Sequence, residues 1–226
     1  MTSVVSAKVL LNQAAPPWSV AEWVQGPSVE LRDLSSKVVL LEVFQVNCPG
    51  CFLYALPRAI ELHRQYADQG LVVLGIATAF EDFDKNTLVN LQAVLESGHV
   101  VGETLRVLDA RGELDRGRWR YRIPFSVAMD NLRAVTGTQP SGSAVDDFIR
   151  ENQPDVVGLP DPDQLAIRQR VSQYLQRLSY RAETFERYGL QGTPSQILID
   201  KQGILRASRF GSYPLLEVDI QRLLAE

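Results

Sequence analysis

The chain has 226 residues, 45% of them apolar and 22% charged, with a formal net charge of −4. That length allows one or two domains and a sizeable core, and the acidic balance gives no reason to expect nucleic acid or an anionic membrane as partner. Two cysteines cannot make a structural disulfide framework, and no run approaches the ~18 uninterrupted apolar residues of a membrane span.

Met1–Lys8 lacks a basic region followed by a long apolar run, so no signal peptide is expected and the cytoplasm is the expected compartment. Ala15-Pro16-Pro17-Trp18 predicts an extended, helix-excluding entry. Val29-Glu30-Leu31 alternates like a short strand, and Asp33-Leu34-Ser35-Ser36 reads as a turn. Residues 38–46 are nearly all apolar, as in an inner strand covered on both faces, with Glu42 the exception. A helix is predicted from Pro49 to about Asp68, kinked at Pro57 and ended by Gln69-Gly70. Leu71–Thr78 follows as a second buried strand, and the βαβ order predicts parallel pairing with a right-handed crossover.

Asp84-Lys85-Asn86-Thr87 can cap a helix that Ser97-Gly98 breaks, and a second amphipathic piece runs from about Val101 to Leu108. Arg111 to Arg122 holds five arginines, but Glu113 and Asp115 interrupt them, so a solvated face is expected rather than a nucleic-acid patch. Pro124–Asn131 reads as a third strand and Gly137–Ser143 as a loop. A helix is predicted over Ala144–Glu151, a proline-bearing loop over Asn152–Pro162, and one long helix over Asp163–Tyr188, which includes Leu178 and is capped by Gly189. Ser195–Arg206 predicts a hairpin around Asp200-Lys201-Gln202-Gly203, and Pro214–Glu226 a closing helix.

Chemistry concentrates at Cys48-Pro49-Gly50-Cys51, where a buried strand ends and a helix begins. The first turn of a helix offers unpaired N–H groups and the positive end of its dipole, which stabilise a thiolate. Pro49 suits the first helical position. Cys48 is expected near the N-cap with an exposed sulfur, and Cys51 one turn deeper. That arrangement suits thiol–disulfide exchange: Cys48 attacks and Cys51 resolves the mixed disulfide. Two cysteines at this spacing could also be half of a zinc site. A structural zinc needs about four ligands, and only His63 and His99 remain to supply them, so no metal and no cofactor is expected. Glu42 either faces a solvated edge or lies beneath the helix start near Cys51. In the second case burial raises its pKa and it can carry a proton to or from the deeper sulfur.

In order along the chain, Val38–Val46, Cys48-Pro49-Gly50-Cys51, Pro57, Gly192-Thr193-Pro194 and Ile197–Gly203 resemble a thioredoxin fold. Ala15–Trp18 and Val29–Leu31 are similar to the N-terminal extension of the bacterial TlpA/ResA-like thiol–disulfide oxidoreductases. The resemblance covers roughly residues 15–80, 123–130 and 182–226. It implies a three-layer α/β fold with a mixed central sheet, an N-terminal extension and a helical insertion at 131–181. It implies Cys48 as attacking and Cys51 as resolving cysteine, and Pro194 as the cis-proline facing them. Substrate would lie against Pro49, Gly50, Thr193 and Pro194, with Thr193 offering its backbone. Glu42, six residues before Cys48, matches the buried acid of thioredoxins. The implied partners are a protein or low-molecular-weight disulfide and an electron donor that the sequence does not name.

The chain departs from the pattern at Asn47, where tryptophan is common, and in Pro-Gly for Gly-Pro; with no histidine in the motif, a less oxidising protein is expected. Two other functions fit the sequence less well. A peroxiredoxin-like peroxidase needs Pro and Thr or Ser seven and three residues before its cysteine, where Leu41 and Gln45 stand. A redox-sensing protein would use 131–181 as a partner-binding surface, although a helix packed to extend the core explains that segment more simply.

Overall fold

The computed structural model describes residues 11–135, 140–177 and 180–226. The leader expectation for Met1–Lys8, residues 137–139 of the expected loop and Leu178 lie outside them. The chain divides into two compact units, residues 1–132 with 182–226, and residues 133–181.

In chain order the elements are β1 (Val20–Gln25), β2 (Val38–Phe44), α1 (Leu56–Tyr66), β3 (Leu71–Ala77), α2 (Leu88–Ser97), α3 (Gly102–Ala110), β4 (Leu114–Asp115), β5 (Arg118–Trp119) and β6 (Ser126–Asp130). They continue with β7 (Leu132–Ala134), α4 (Gly142–Asn152), α5 (Asp161–Arg177), β8 (Tyr180–Ala182), α6 (Glu183–Arg187), β9 (Ser195–Ile199), β10 (Leu205–Phe210) and α7 (Leu216–Ala225).

Six strands make the main sheet in the order β1-β6-β3-β2-β9-β10. β2 pairs in parallel with β3, as the βαβ pattern requires, and β3 in parallel with β6. β1, β9 and β10 pair antiparallel with their neighbours, so the sheet is mixed. β2 is the inner strand of the motif, and all seven of its residues are buried. Its period of two divides the core. Val38, Leu40 and Phe44 face the side that holds Cys51, α1 and α7, and Val39, Leu41 and Val43 face the side that holds Trp18, Phe185 and Tyr188. Helices therefore cover one face, and α6 with the N-terminal segment covers the other, in three layers.

Several elements differ from the sequence expectation. Val29–Leu31 is not a strand: Leu31–Leu34 form a single tight helical turn, because Glu30 and Asp33 cap each other's backbone reciprocally. β1 is an edge strand that carries little hydrophobic alternation and gains its order by pairing with β6. The expected helix over 163–188 is instead α5, β8 and α6. The buried Asp130 carboxylate interrupts it, accepting from the Thr184 and Phe185 N–H groups and from Thr78 Oγ1 and so starting α6 afresh. Gly189 does end that helix, in the left-handed conformation at φ +60°. Pro57 does not kink the helix midway. The turn just before it, Cys51–Ala55, is wider than α-helical, with the Leu56 N–H donating to the Cys51 carbonyl. That extra residue makes room for a ring that would press on the preceding turn.

The arginine tract is a solvated face. Arg122 donates to the Leu95 and Glu96 carbonyls at the end of α2, Arg118 donates to the Ser97 carbonyl, and Arg120 pairs with Glu113. Trp119 turns inward and donates from Nε1 to the Phe52 carbonyl at 3.1 Å, tying the tract to the turn that carries Cys51.

In the second unit, Val145, Ile149, Val156 and Val171 form a small core with Phe148, Ile167 and Leu175 packed against it. Arg168 pairs with Asp146 within the same unit. β7 and β8 form a two-stranded sheet of their own. Among the described residues, no helix is long and apolar enough to cross a membrane.

Candidate functional site: a dithiol at the end of the inner strand

β2 delivers Gln45, Val46 and Asn47 to its C-terminal edge, and the chain then turns into the helix. The Cys48 N–H donates to the Gln45 carbonyl at 3.3 Å, and the Cys51 N–H donates to the Cys48 carbonyl at 3.1 Å. These bonds place Cys48 at the mouth of the helix, half-buried, and Cys51 one turn in, fully buried. Both cysteines are free thiols.

The loop before β9 closes over the pair. Thr193–Pro194 is a cis peptide bond. Cys48 Sγ lies 3.4 Å from the Thr193 carbonyl oxygen, to which it donates when protonated. A Cβ on Gly50 would stand 3.7 Å from Pro194 Cδ, so the proline ring packs over the second residue of the motif. Thr193 Oγ1 donates to Gln45 Oε1 at 3.1 Å, which ties the loop to the end of β2. On the outer side the Phe210 ring fills the place where any side chain at 192 would project: a Cβ there would meet it at 2.4 Å.

Asn47, in the tryptophan position, is a polar hub. Its N–H donates to Asn86 Oδ1 at 2.8 Å, its Nδ2 donates to Asp82 at 2.8 Å, and its Oδ1 accepts from the Glu103 N–H at 2.7 Å. Asn47→Ala keeps the first bond and loses the other two. A loss of about 1–3 kcal/mol in unfolding free energy is expected from urea titration.

The two thiols are driven apart electrostatically. Cys48 is lowered to about 6, chiefly because the Cys51 thiol donates to it; the Thr193 side chain and the Cys51 and Gly50 N–H groups add to this, and burial opposes it. Cys51 is raised well above the ordinary thiol value, first by burial and then by Cys48 and Glu42. The exposed sulfur is therefore a thiolate at neutral pH and the deep one a thiol.

Glu42 sits on β2 between Gly75 of β3 and Gln196 of β9, on the same face as Leu40 and Phe44. It is 1% exposed, which removes the solvated-edge alternative. Burial raises its pKa well above the carboxylate range, hydrogen bonds from Gln196 oppose that, and the charge on Cys48 adds to it. Gln196 Nε2 donates to both carboxylate oxygens, at 3.1 and 3.2 Å.

Cys48, Cys51, Gly50, Thr193 and Pro194 thus converge, with Pro49 opening the helix and Glu42 beneath it. Gln45 and Gln196 escaped the sequence reading. The signal for Gln196 was a long polar side chain leading directly into the apolar run Ile197–Ile199, while its pairing with Glu42 comes only from the fold. No cluster of three or more histidines, cysteines or acidic residues that could hold a metal occurs among the described residues.

An inner parallel pair, a dithiol at its C-terminal edge and a cis-proline loop against the outer sulfur together define a thioredoxin-like protein. Within that superfamily the chain resembles the TlpA/ResA-like proteins. It is 29% identical over 93 residues, 41% of its length, to the thiol-disulfide oxidoreductase ResA of Halalkalibacterium halodurans. The curated proteins it matches are covered over about half of their length or less, 52% in the case of ResA. Among solved structures it is similar to a thiol-disulfide isomerase from Corynebacterium glutamicum, with 26% identity, a TM-score of 0.58, and coverage of 95% of this chain and 97% of the other. A thioredoxin-like superfamily protein aligns with the same identity and coverage and a TM-score of 0.59. No family model matches the chain.

Proposed function

We propose that this chain is a thiol–disulfide oxidoreductase that exchanges the Cys48/Cys51 dithiol with protein or low-molecular-weight disulfides. The observation that carries the reading is Cys48 Sγ against the Thr193 carbonyl, beside Pro194, with a buried thiol directly behind it. The names of the similar proteins, a thiol-disulfide oxidoreductase and a thiol-disulfide isomerase, support it.

The Cys48 thiolate attacks one sulfur of the substrate disulfide, a Cys48–substrate bond forms, and the other sulfur leaves as thiolate. Cys51 then gives its proton to Glu42 and attacks Cys48 Sγ. The Cys48–Cys51 disulfide forms and the second substrate thiolate leaves. Two electrons have passed from the dithiol to the substrate, and an electron donor must return them. Thr193, at the edge of the cis-proline loop, offers its backbone to the substrate chain, which lies over Pro49, Gly50 and Pro194.

Residues 1–226 are read as a single thioredoxin-like domain with a helical insertion at 131–181, and the small core within 133–181 supports the insertion. A cytoplasmic location belongs to the same proposal, and fractionation of source cells that recovered the protein elsewhere would overturn it.

The test pairs two measurements. Alkylation of reduced protein against pH is expected to show a midpoint at about 6, below the ~8.5 of a free thiol. Insulin disulfides are expected to be reduced, and Cys48→Ser to bring both signals to background. A midpoint near the free value with insulin left intact would overturn the proposal.

A further inference from the structure

We infer that Gln196 is a positioning residue for the exchange reaction, holding Glu42 as the acceptor of the Cys51 proton. This rests on the oxidoreductase reading above and goes further, to a residue outside the motif and outside the cis-proline loop.

The geometry is specific. Gln196 and Glu42 are direct cross-strand partners of β9 and β2. Side chains so placed on one face lie within reach of each other. Both residues are buried, Gln196 at 4% exposure, and its Nε2 donates to both oxygens of the carboxyl. A single amide nitrogen shared between two oxygens holds the carboxyl plane in one orientation.

The amide does little for packing. Its Oε1 is buried and has no hydrogen-bond partner among the described residues. An unsatisfied buried carbonyl costs stability. β9 continues as Ile197, Leu198 and Ile199, all fully buried, so an apolar side chain at 196 would suit the strand better. What the glutamine supplies in return is a donor aimed at an acid that has no other hydrogen-bond donor among the described side chains.

That donor favours the charged form of Glu42. Burial favours the protonated acid, and a protonated carboxyl cannot take a proton from Cys51. The Nε2 bonds oppose burial. Gln196 thereby lowers the pH at which Glu42 becomes a base. The proton step is then balanced: Cys51 Sγ–H gives its proton to the ionised carboxyl, and the resulting thiolate attacks Cys48.

Two readouts test this separately. The first is the carboxyl carbon shift of Glu42 followed by NMR against pH in the oxidised protein, where neither cysteine titrates. In Gln196→Leu the midpoint is expected to rise by about one pH unit or more, as for loss of a hydrogen bond to a charged group. The second is the decay of a preformed Cys48 mixed disulfide. At pH 7 it is expected to slow in Gln196→Leu, by up to about tenfold for a midpoint moved by one unit, and to recover as pH rises. In a Glu42→Gln background the same replacement is expected to change nothing.

Gln196→Met, of similar length and without a donor, repeats both measurements. An unmoved Glu42 midpoint, a rate loss that persists at high pH or in the Glu42→Gln background, or failure of both variants to fold would overturn the inference. The NMR titration needs no exchange activity. A wild-type protein that reduced no disulfide would sink the oxidoreductase reading while leaving the Gln196–Glu42 coupling measurable.

Discussion

Cys51→Ser is expected to react with a disulfide as readily as the native dithiol and then to stop. Attack belongs to Cys48, whose thiolate depends first on a hydrogen bond from residue 51. A serine hydroxyl can donate that bond, so the attacking sulfur stays acidic. Release is another matter. It requires a thiolate at position 51 to displace the substrate from Cys48, and an alcohol does not ionise in this range. Mass spectrometry under non-reducing conditions is expected to show a stable one-to-one adduct, with insulin turnover at background. Cys51→Ala separates the two roles further. It forms the same adduct more slowly at pH 6–7, because the donor is gone and Cys48 moves back toward an ordinary thiol. Cys48→Ser forms no adduct at all. Turnover surviving in Cys51→Ser would place the resolving thiol outside this chain.

The parts that could be read from the sequence are those where local chemistry and tertiary packing agree. Val38 to Phe44 is apolar at every position but one, and it becomes the strand with every residue buried. Cys48-Pro49-Gly50-Cys51 follows it directly, so strand, turn and helix mouth come in one continuous stretch. The hairpin around Asp200 and the closing helix α7 carry their own turn and amphipathic signals in the same way.

What could not be read is decided by residues distant in sequence. The start of α6 depends on Asp130, which reaches the Thr184 N–H across 54 positions. No periodicity within 163–188 carries that information. β1 is likewise ordered by pairing with β6 rather than by its own alternation. The same holds for the site. Glu42 stood out as an acid in an apolar run, yet its partner Gln196 lies 154 residues away and becomes its neighbour only through the β2–β9 register.

Glu42→Gln is expected to have two effects of opposite value. Resolution of the mixed disulfide should slow by about 10²-fold, the low end of what a positioned acid–base group contributes. Stability at neutral and alkaline pH should rise. The folded protein holds the Glu42 pKa well above the ordinary 4.5, chiefly by burial. Between the unfolded and folded values the native state binds the extra proton. The stabilisation is therefore complete below the ordinary value and is lost as pH rises through the folded one. Each pH unit between the two is worth about 1.4 kcal/mol. Cys48 acts with the opposite sign in the reduced protein. Its pKa falls from 9.0 to about 6, so its contribution is present above 9.0 and disappears as pH drops through about 6. Measurement in the oxidised protein removes the thiols and leaves the acid alone. Urea unfolding of oxidised wild type should show stability falling with pH above the carboxylate range, and Glu42→Gln should flatten that fall. A parallel pair of curves would mean that the fold does not hold Glu42 as a neutral acid, and its carboxyl would then already be ionised when Cys51 needs a base.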